Sequence, residues 1–173
     1  MNVTFHIVAA VGITAALSFR KRNASLLQMR ASSQLPFLVA AFVAGVLLHG
    51  LLDWLPHSYP INSAADVGIG GAILSCTMIF VRQEHRLLLG ACAFGSVFPD
   101  LVDLGPAILN KRLGWSLPVF KFFPWHWRQY SGSIYDGSQH FESVLYHLLV
   151  VSASLVLMYV YRQSLFAIGE KAQ

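Results

Sequence analysis

The sequence has few charged residues: Asp, Glu, Lys and Arg together make up 12% of its 173 positions. A soluble domain of ordinary composition carries about 25%. Together with a hydrophobic content of 55%, this deficit excludes a large soluble domain and predicts an integral membrane protein with one bundle. The net charge of +4 is too diffuse to predict a nucleic-acid partner. It agrees instead with basic loops on one side of a membrane.

Cysteine is equally scarce. The two cysteines, Cys76 and Cys92, lie inside apolar segments, so we interpret them as core residues and not as a disulfide or a ligand pair. The sequence also lacks a P-loop, a dinucleotide fingerprint, a nucleophile elbow and a Cys-pair zinc motif. These absences argue against the enzyme classes that depend on such motifs.

The sequence does contain five apolar segments, at about residues 5–19, 35–55, 66–81, 87–109 and 140–161. A membrane-spanning helix needs about 20 residues. We therefore predict an all-α polytopic membrane bundle of about five transmembrane helices, forming a single domain over residues 1–173.

Lysine and arginine set the predicted orientation. They follow the first segment (Arg20, Lys21, Arg22 and Arg30), separate the third from the fourth (Arg82 and Arg86) and follow the fifth (Arg162 and Lys171). The positive-inside rule places these connections in the cytoplasm. The N-terminus is then outside and the C-terminus is cytoplasmic. An aromatic and basic connection at about residues 110–139 is extracytoplasmic.

Histidine and aspartate concentrate toward the predicted outer side of the segments. One layer lies about 14 residues, or about 20 Å, from the cytoplasmic ends of its segments, and its members are His6, His49, Asp66, Asp100 and His147. Asp53, Asp103 and His140 follow one or two turns further out. Ionisable groups near the hydrocarbon are costly and usually face a bundle interior, so we expect most of these side chains to converge.

Imidazole and carboxylate together suit zinc, manganese or non-haem iron. We predict a divalent metal ion, with zinc favoured and manganese or iron as alternatives. The predicted ligands are His6, His49, Asp100, Asp103, His140 and His147. Asp53 and Glu142 are the predicted catalytic groups, as candidates for a general base.

Three residues have simpler local interpretations. Asp66 begins a segment and is typical of a helix N-cap. His57, beside Pro56, is expected to be a loop residue. His126 lies between two tryptophans, which is typical of an aromatic interfacial belt.

Four basic residues, Lys111, Arg112, Lys121 and Arg128, lie among the aromatics of the outer connection. Such a stretch suits the headgroup level of a membrane. Two interpretations stay open. The cations bind the phosphate of a substrate, or they anchor the connection and extend to water.

The run Gly95–Asp100, followed by Leu109–Trp115 and a histidine-bearing connection, resembles the YdjM-like inner-membrane proteins. These are described as proposed metal-dependent hydrolases. The Pro-Asp-x-Asp-His element of the family corresponds here to Pro99–Asp103, with the second aspartate one residue later and without the following histidine. The resemblance implies a divergent member of this family in a bacterial inner (plasma) membrane.

A second family element, His-Arg-x-x-Thr-His-Ser, is interrupted in this sequence. His126 and Arg128 correspond to the start of this element, and His140 and Ser143 correspond to its end. A long insert separates the two halves, so the resemblance leaves the last ligands of the metal open.

Together these patterns predict a membrane-embedded metal-dependent hydrolase with its site at the extracytoplasmic interface. The predicted substrate is a lipid-linked phosphoester, and the predicted partner is membrane lipid. One alternative is a non-catalytic scaffold or subunit of a larger membrane complex, with a protein partner. Another is a haem protein that uses two of the histidines, which the carboxylates in the same layer disfavour.

Overall fold

The computed structural model describes residues 1–19, 31–136 and 140–167, and that part of the chain is helical without a β-strand. The α-helices are α1 (Val3–Phe19), α2 (Ala31–Trp54), α3 (Ser63–Phe80), α4 (Gln83–Asp103), α5 (Gly105–Leu113), α6 (Phe141–Val160) and α7 (Arg162–Leu165). A short 3₁₀ turn, Pro124–His126, lies in the outer connection between α5 and α6. The predicted all-α class is confirmed.

Three helices are long and apolar enough to cross a membrane: Gln34–Trp54 of α2, α3 and α6. The pair α4 and α5, bent by 58°, is a fourth if the two form one broken span. These helices mark the chain as a membrane protein. At 17 residues, α1 is shorter than a usual span, so a fifth crossing stays a prediction.

The orientation also stays a prediction. Several of the basic residues that set it, Arg20, Lys21, Arg22, Arg30 and Lys171, lie outside the described residues.

Helix α4 runs through Pro99 without a break. The helix continues to Asp103, and the bend into α5 follows at Leu104. Asp100 and Asp103 are three positions apart in continuous helix, so they lie on the same face. This continuity presents both carboxylates to the same side of the bundle.

Two glycines allow α2 and α4 to pack backbone against backbone. A Cβ atom on Gly45 would lie 2.2 Å from the carbonyl oxygen of Cys92, and one on Gly95 would lie 2.1 Å from that of Phe42. Small residues permit such close crossings between membrane helices. The crossing places the C-terminal halves of α2 and α4 side by side.

Helix α1 packs against α6, α4 and α3, and its Ala10 and Ala15 are fully buried. Asp66 fixes its start, because the carboxylate accepts hydrogen bonds from the backbone N–H groups of Val3 at 2.7 Å and Thr4 at 2.9 Å. The N-cap of α3 itself is Asn62. Asp66 therefore caps a helix, as its residue type suggested, but the helix is α1 and not its own.

The outer connection is tied to the end of α2 by backbone hydrogen bonds. Gly132 N–H donates to the carbonyl of Asp53 at 2.8 Å, and its own carbonyl accepts from His57 N–H at 2.9 Å. A Cβ on Gly132 would lie 2.1 Å from the carbonyl oxygen of Leu55. Only glycine fits this approach.

Candidate metal centre

Four side chains converge where α2, α4 and the outer connection meet: His49, Asp53, Asp100 and His126. Each offers one ligand atom, and these four atoms lie within 4.8 Å of one another. The two Nε2 atoms are 3.1 Å apart. Asp53 Oδ2 lies 3.4 Å from the Nε2 of His49 and 3.3 Å from that of His126. Asp100 Oδ1 lies 3.8 Å and 3.3 Å from the same two atoms.

These separations suit one bound ion. Two ligand atoms that share a tetrahedral zinc, each about 2.0–2.1 Å from it, are about 3.3 Å apart. The donor set of two imidazole nitrogens and two carboxylate oxygens suits zinc, manganese or iron. The cluster can therefore hold a metal ion, and the geometry leaves the identity of the metal open.

Helix geometry and packing explain the convergence. His49 and Asp53 are four residues apart on α2, so their side chains share one face. The close crossing at Gly45 and Gly95 brings that face against α4 and hence against Asp100. The 3₁₀ turn of the outer connection supplies the fourth member.

Each imidazole has one nitrogen engaged away from the cluster. His49 Nδ1 lies 2.7 Å from the carbonyl oxygen of Ser96. His126 Nδ1 lies 2.8 Å from Asp103 Oδ2. An imidazole that donates through Nδ1 keeps the lone pair on Nε2. Both Nε2 atoms are therefore oriented as metal-ligating histidines require.

Asp103 supports His126 and is not a member of the four-residue group. Its side chain is almost fully buried and also accepts the backbone N–H groups of Phe122 at 2.8 Å and Phe123 at 3.1 Å. Three donors thus occupy the carboxylate that we predicted as a metal ligand. Asp103 therefore lies on the side of His126 that faces away from the cluster. There it fixes the turn that carries His126.

The charge environment of His126 is strongly acidic. Burial lowers the pKa of its imidazole, but hydrogen bonds to Asp100, Asp53 and Asp103 outweigh burial and raise the pKa to about 10. At neutral pH the metal-free cluster therefore holds a proton on this ring. An ion that enters must displace that proton.

His6 and the N-terminus pack against the far side of Asp53. The ring of His6 is fully buried, stacks on His49 with centroids 4.1 Å apart and places its Nε2 3.2 Å from Asp53 Oδ1. The Met1 amino group contacts the same oxygen and lies 2.7 Å from His57 Nε2. His6, a predicted ligand, is therefore adjacent to the four-residue group without belonging to it.

His57 lies in a loop, as expected, but its side chain is part of the buried polar network around Asp53. It is fully buried, and its Nδ1 donates to the carbonyl of Leu55 at 2.7 Å. Burial and the nearby N-terminal ammonium lower the pKa of His57 to about 4. The ring is therefore neutral at pH 7 and leaves Nε2 as an acceptor.

The structure places three other predicted site residues away from the cluster. His140 is exposed, with Nε2 3.9 Å from Asp136 Oδ2. His147 stacks on Phe5 with centroids 4.2 Å apart. Glu142 is exposed in the first turn of α6.

The predicted substrate-binding cations are all exposed: Lys111, Arg112, Lys121 and Arg128. Lys121 is the one in contact with the site, because its Nζ donates to the backbone carbonyl of His126 at 2.8 Å. Their phosphate-binding role stays a prediction.

Sequence reasoning favoured an aromatic belt for His126 and did not include it among the predicted ligands, whereas the structure places it in the four-residue cluster. Its neighbours Trp125 and Trp127 carried that interpretation, because two tryptophans are typical of an interface. The signal that could have found it was its alignment with the start of the His-Arg element. No family model, curated protein or solved structure matches this chain.

Proposed function

We propose that the chain is a membrane-embedded metal-dependent hydrolase that acts on a lipid-linked phosphoester at the extracytoplasmic interface. The observation that carries the proposal is the convergence of His49, Asp53, Asp100 and His126 at separations suited to one ion. Zinc is the ion we favour, since imidazole and carboxylate are ligands of catalytic zinc. Such an ion polarises a phosphoryl oxygen and activates water.

A catalytic zinc site keeps one position open, whereas a site closed by four protein ligands is structural. Asp100 is the group that we assign to the open side. Its side chain is 21% exposed, while those of His49, Asp53 and His126 are at most 7% exposed. In this assignment His49, Asp53 and His126 would hold the ion, and Asp100 would take a proton from the water that attacks phosphorus while the phosphoester P–O bond to the alcohol breaks.

The position of the site supports the proposed substrate class. The cluster is at one end of α2, a helix with the length and composition of a membrane span. The aromatic outer connection covers that end, and lysine and arginine lie along it. A phosphoester that carries a hydrocarbon chain matches both environments.

Membrane topology and location are part of the proposal. At about 1.5 Å per residue, the 17 residues of α1 extend for about 25 Å, close to the hydrocarbon thickness of about 30 Å. Counting α1 and the α4–α5 pair gives five crossings, with the N-terminus outside. A bacterial inner membrane and divergent membership of the YdjM-like family complete the proposal.

Metal analysis of the purified protein tests this function. We expect about one zinc per chain in the parent, hydrolysis of phosphatidic acid by the loaded protein, and loss of both in His49→Ala. His140→Ala should retain both, because the structure places that histidine outside the cluster. A parent that binds no divalent metal, or a His49→Ala variant with unchanged metal content and activity, would refute the proposal.

One observation favours a non-catalytic scaffold as the second candidate. The N-terminal ammonium contacts Asp53 inside the buried network, and this pair compensates charge without a metal. A scaffold of this kind predicts metal-free protein after purification. It also predicts co-purification with a larger membrane complex.

A further inference from the structure

An apolar groove of about 410 Å³ lies between the last turns of α2 and the outer connection. Its lining residues are Gly50, Leu51, Trp54, Pro124, Trp125 and Tyr130. On the α2 side, Leu51 and Trp54 are more than half exposed. The groove is therefore open along a helix whose outer surface is suited to lipid.

The groove shares its walls with the metal cluster. Gly50 follows His49 in the chain, and Trp125 precedes His126. The rings of Trp125 and His49 have centroids 6.3 Å apart. A molecule in the groove would consequently lie one side chain away from the cluster.

Gly50 and Trp125 give the groove its shape. A Cβ atom on Gly50 would lie 2.7 Å from Cε3 of the Trp125 ring, so any side chain there would displace the indole. Phe123 also stacks on the indole, with centroids 5.2 Å apart. Contacts with Gly50 and Phe123 therefore set the position of the indole.

The indole also has an unused donor. Trp125 Nε1 is buried and has no hydrogen-bond partner among the described residues. Buried N–H groups are nearly always paired, so an unpaired one calls for an explanation. A ligand oxygen in the groove would supply the missing acceptor.

We propose that this groove holds the hydrocarbon chain of a membrane phospholipid, with Trp125 Nε1–H donating to a phosphate or ester oxygen next to the cluster. The inference rests on the proposed function only in calling that lipid the substrate. The hydrocarbon chain of the lipid comes from the bilayer, which is already apolar. Transfer into the groove therefore adds little hydrophobic affinity. Its contribution is orientation: the tail in the groove fixes where the phosphoester lies relative to His49 and His126.

Photolabelling of the purified protein tests this placement directly. The probe is phosphatidic acid with a diazirine at the end of one acyl chain, presented in phosphatidylcholine vesicles. We expect labelling within residues 50–54 and 124–130 that excess unlabelled phosphatidic acid competes away. Labelling of the exposed faces of α3 and α6 should not be saturable, because bulk lipid causes it.

Two variants and two matched controls sharpen the test. Gly50→Ala displaces the indole, and Trp125→Phe keeps a ring but removes the donor. Trp125→Phe should lower the saturable labelling about fivefold, the effect of one lost hydrogen bond. Gly50→Ala should lower it as well, because the displaced indole no longer aligns its donor with the lipid. Gly71→Ala, where a Cβ meets nothing within 4 Å, and the exposed Trp115→Phe should leave it unchanged.

Failure of this inference is distinguishable from failure of the proposed function. Saturable groove labelling in a protein without metal or turnover would support the groove and refute the hydrolase. Turnover of phosphatidic acid by a protein whose labelling is non-saturable would refute the groove. Saturable labelling that neither groove variant lowers would refute it as well.

Discussion

Replacing Asp103 with asparagine removes one negative charge. It also replaces one of the two carboxylate oxygens, which are hydrogen-bond acceptors beside His126, with an NH₂ donor. The carboxylate accepts three hydrogen bonds, from His126 Nδ1 and from the backbone N–H groups of Phe122 and Phe123. An asparagine side chain in the same place has one oxygen and one NH₂ group. Whichever way the amide is turned, at least one of the three N–H donors faces another donor.

The expected result is weaker metal binding. If the amide NH₂ faces His126, the ring must accept through Nδ1 and carry its proton on Nε2, the atom that faces the metal position. Loss of such a supporting partner typically lowers metal affinity 10–100-fold. At about 1.36 kcal/mol per factor of ten, that is about 1.4–2.7 kcal/mol.

The assay is zinc titration of detergent-purified protein against a chromophoric chelator. Asp136→Asn provides the matched control, since that side chain is 65% exposed and contacts His140 outside the cluster. An Asp103→Asn protein with the parent's affinity would refute the supporting role. Complete loss of binding in a folded variant would instead favour the direct ligation that the sequence suggested.

Two further predictions follow from the helix crossing and from the charge of the cluster. Gly95→Ala puts a Cβ 2.1 Å from the carbonyl oxygen of Phe42; it should destabilise the bundle by about 1–3 kcal/mol and weaken zinc binding, as measured by denaturant unfolding with Gly71→Ala as the control. The raised pKa of His126, about 10, means that its stabilisation of the metal-free protein is complete below pH 6.5 and is lost as the pH rises through 10. Zinc affinity should run the opposite way and rise with pH over this range, with proton release at pH 8. Zinc binding that is independent of pH would contradict the predicted competition between zinc and the His126 proton.

The spacing of His49 and Asp53 was enough to predict that they share a helix face, since helical periodicity fixes that relation. Counting residues along the segments predicted that Asp100 lies at the level of His49, and the structure places Asp100 Oδ1 3.8 Å from His49 Nε2. Depth is only one coordinate, however. His147 lies at a similar predicted depth, yet its rotation about the axis of α6 places it against Phe5.

The contribution of the outer connection could not be derived from periodicity, because a segment without regular structure has none. His126 reaches the cluster through a single 3₁₀ turn, and hydrogen bonds to Asp103 hold that turn in place. Whether Asp103 ligates a metal or supports a ligand depends on a displacement of a few ångströms. No pattern of residue types resolves such a difference.

His49 and His126 are 77 positions apart in the chain, and a shared ion would tether them. Chelation should then remove one restraint on the turn and leave its hydrogen bonds to Asp103, so the turn loosens while the helices stay folded. Arg128, exposed just beyond the turn, would become a faster site of tryptic cleavage. Proteolysis in the presence and absence of chelator would thus report metal occupancy without any knowledge of the substrate.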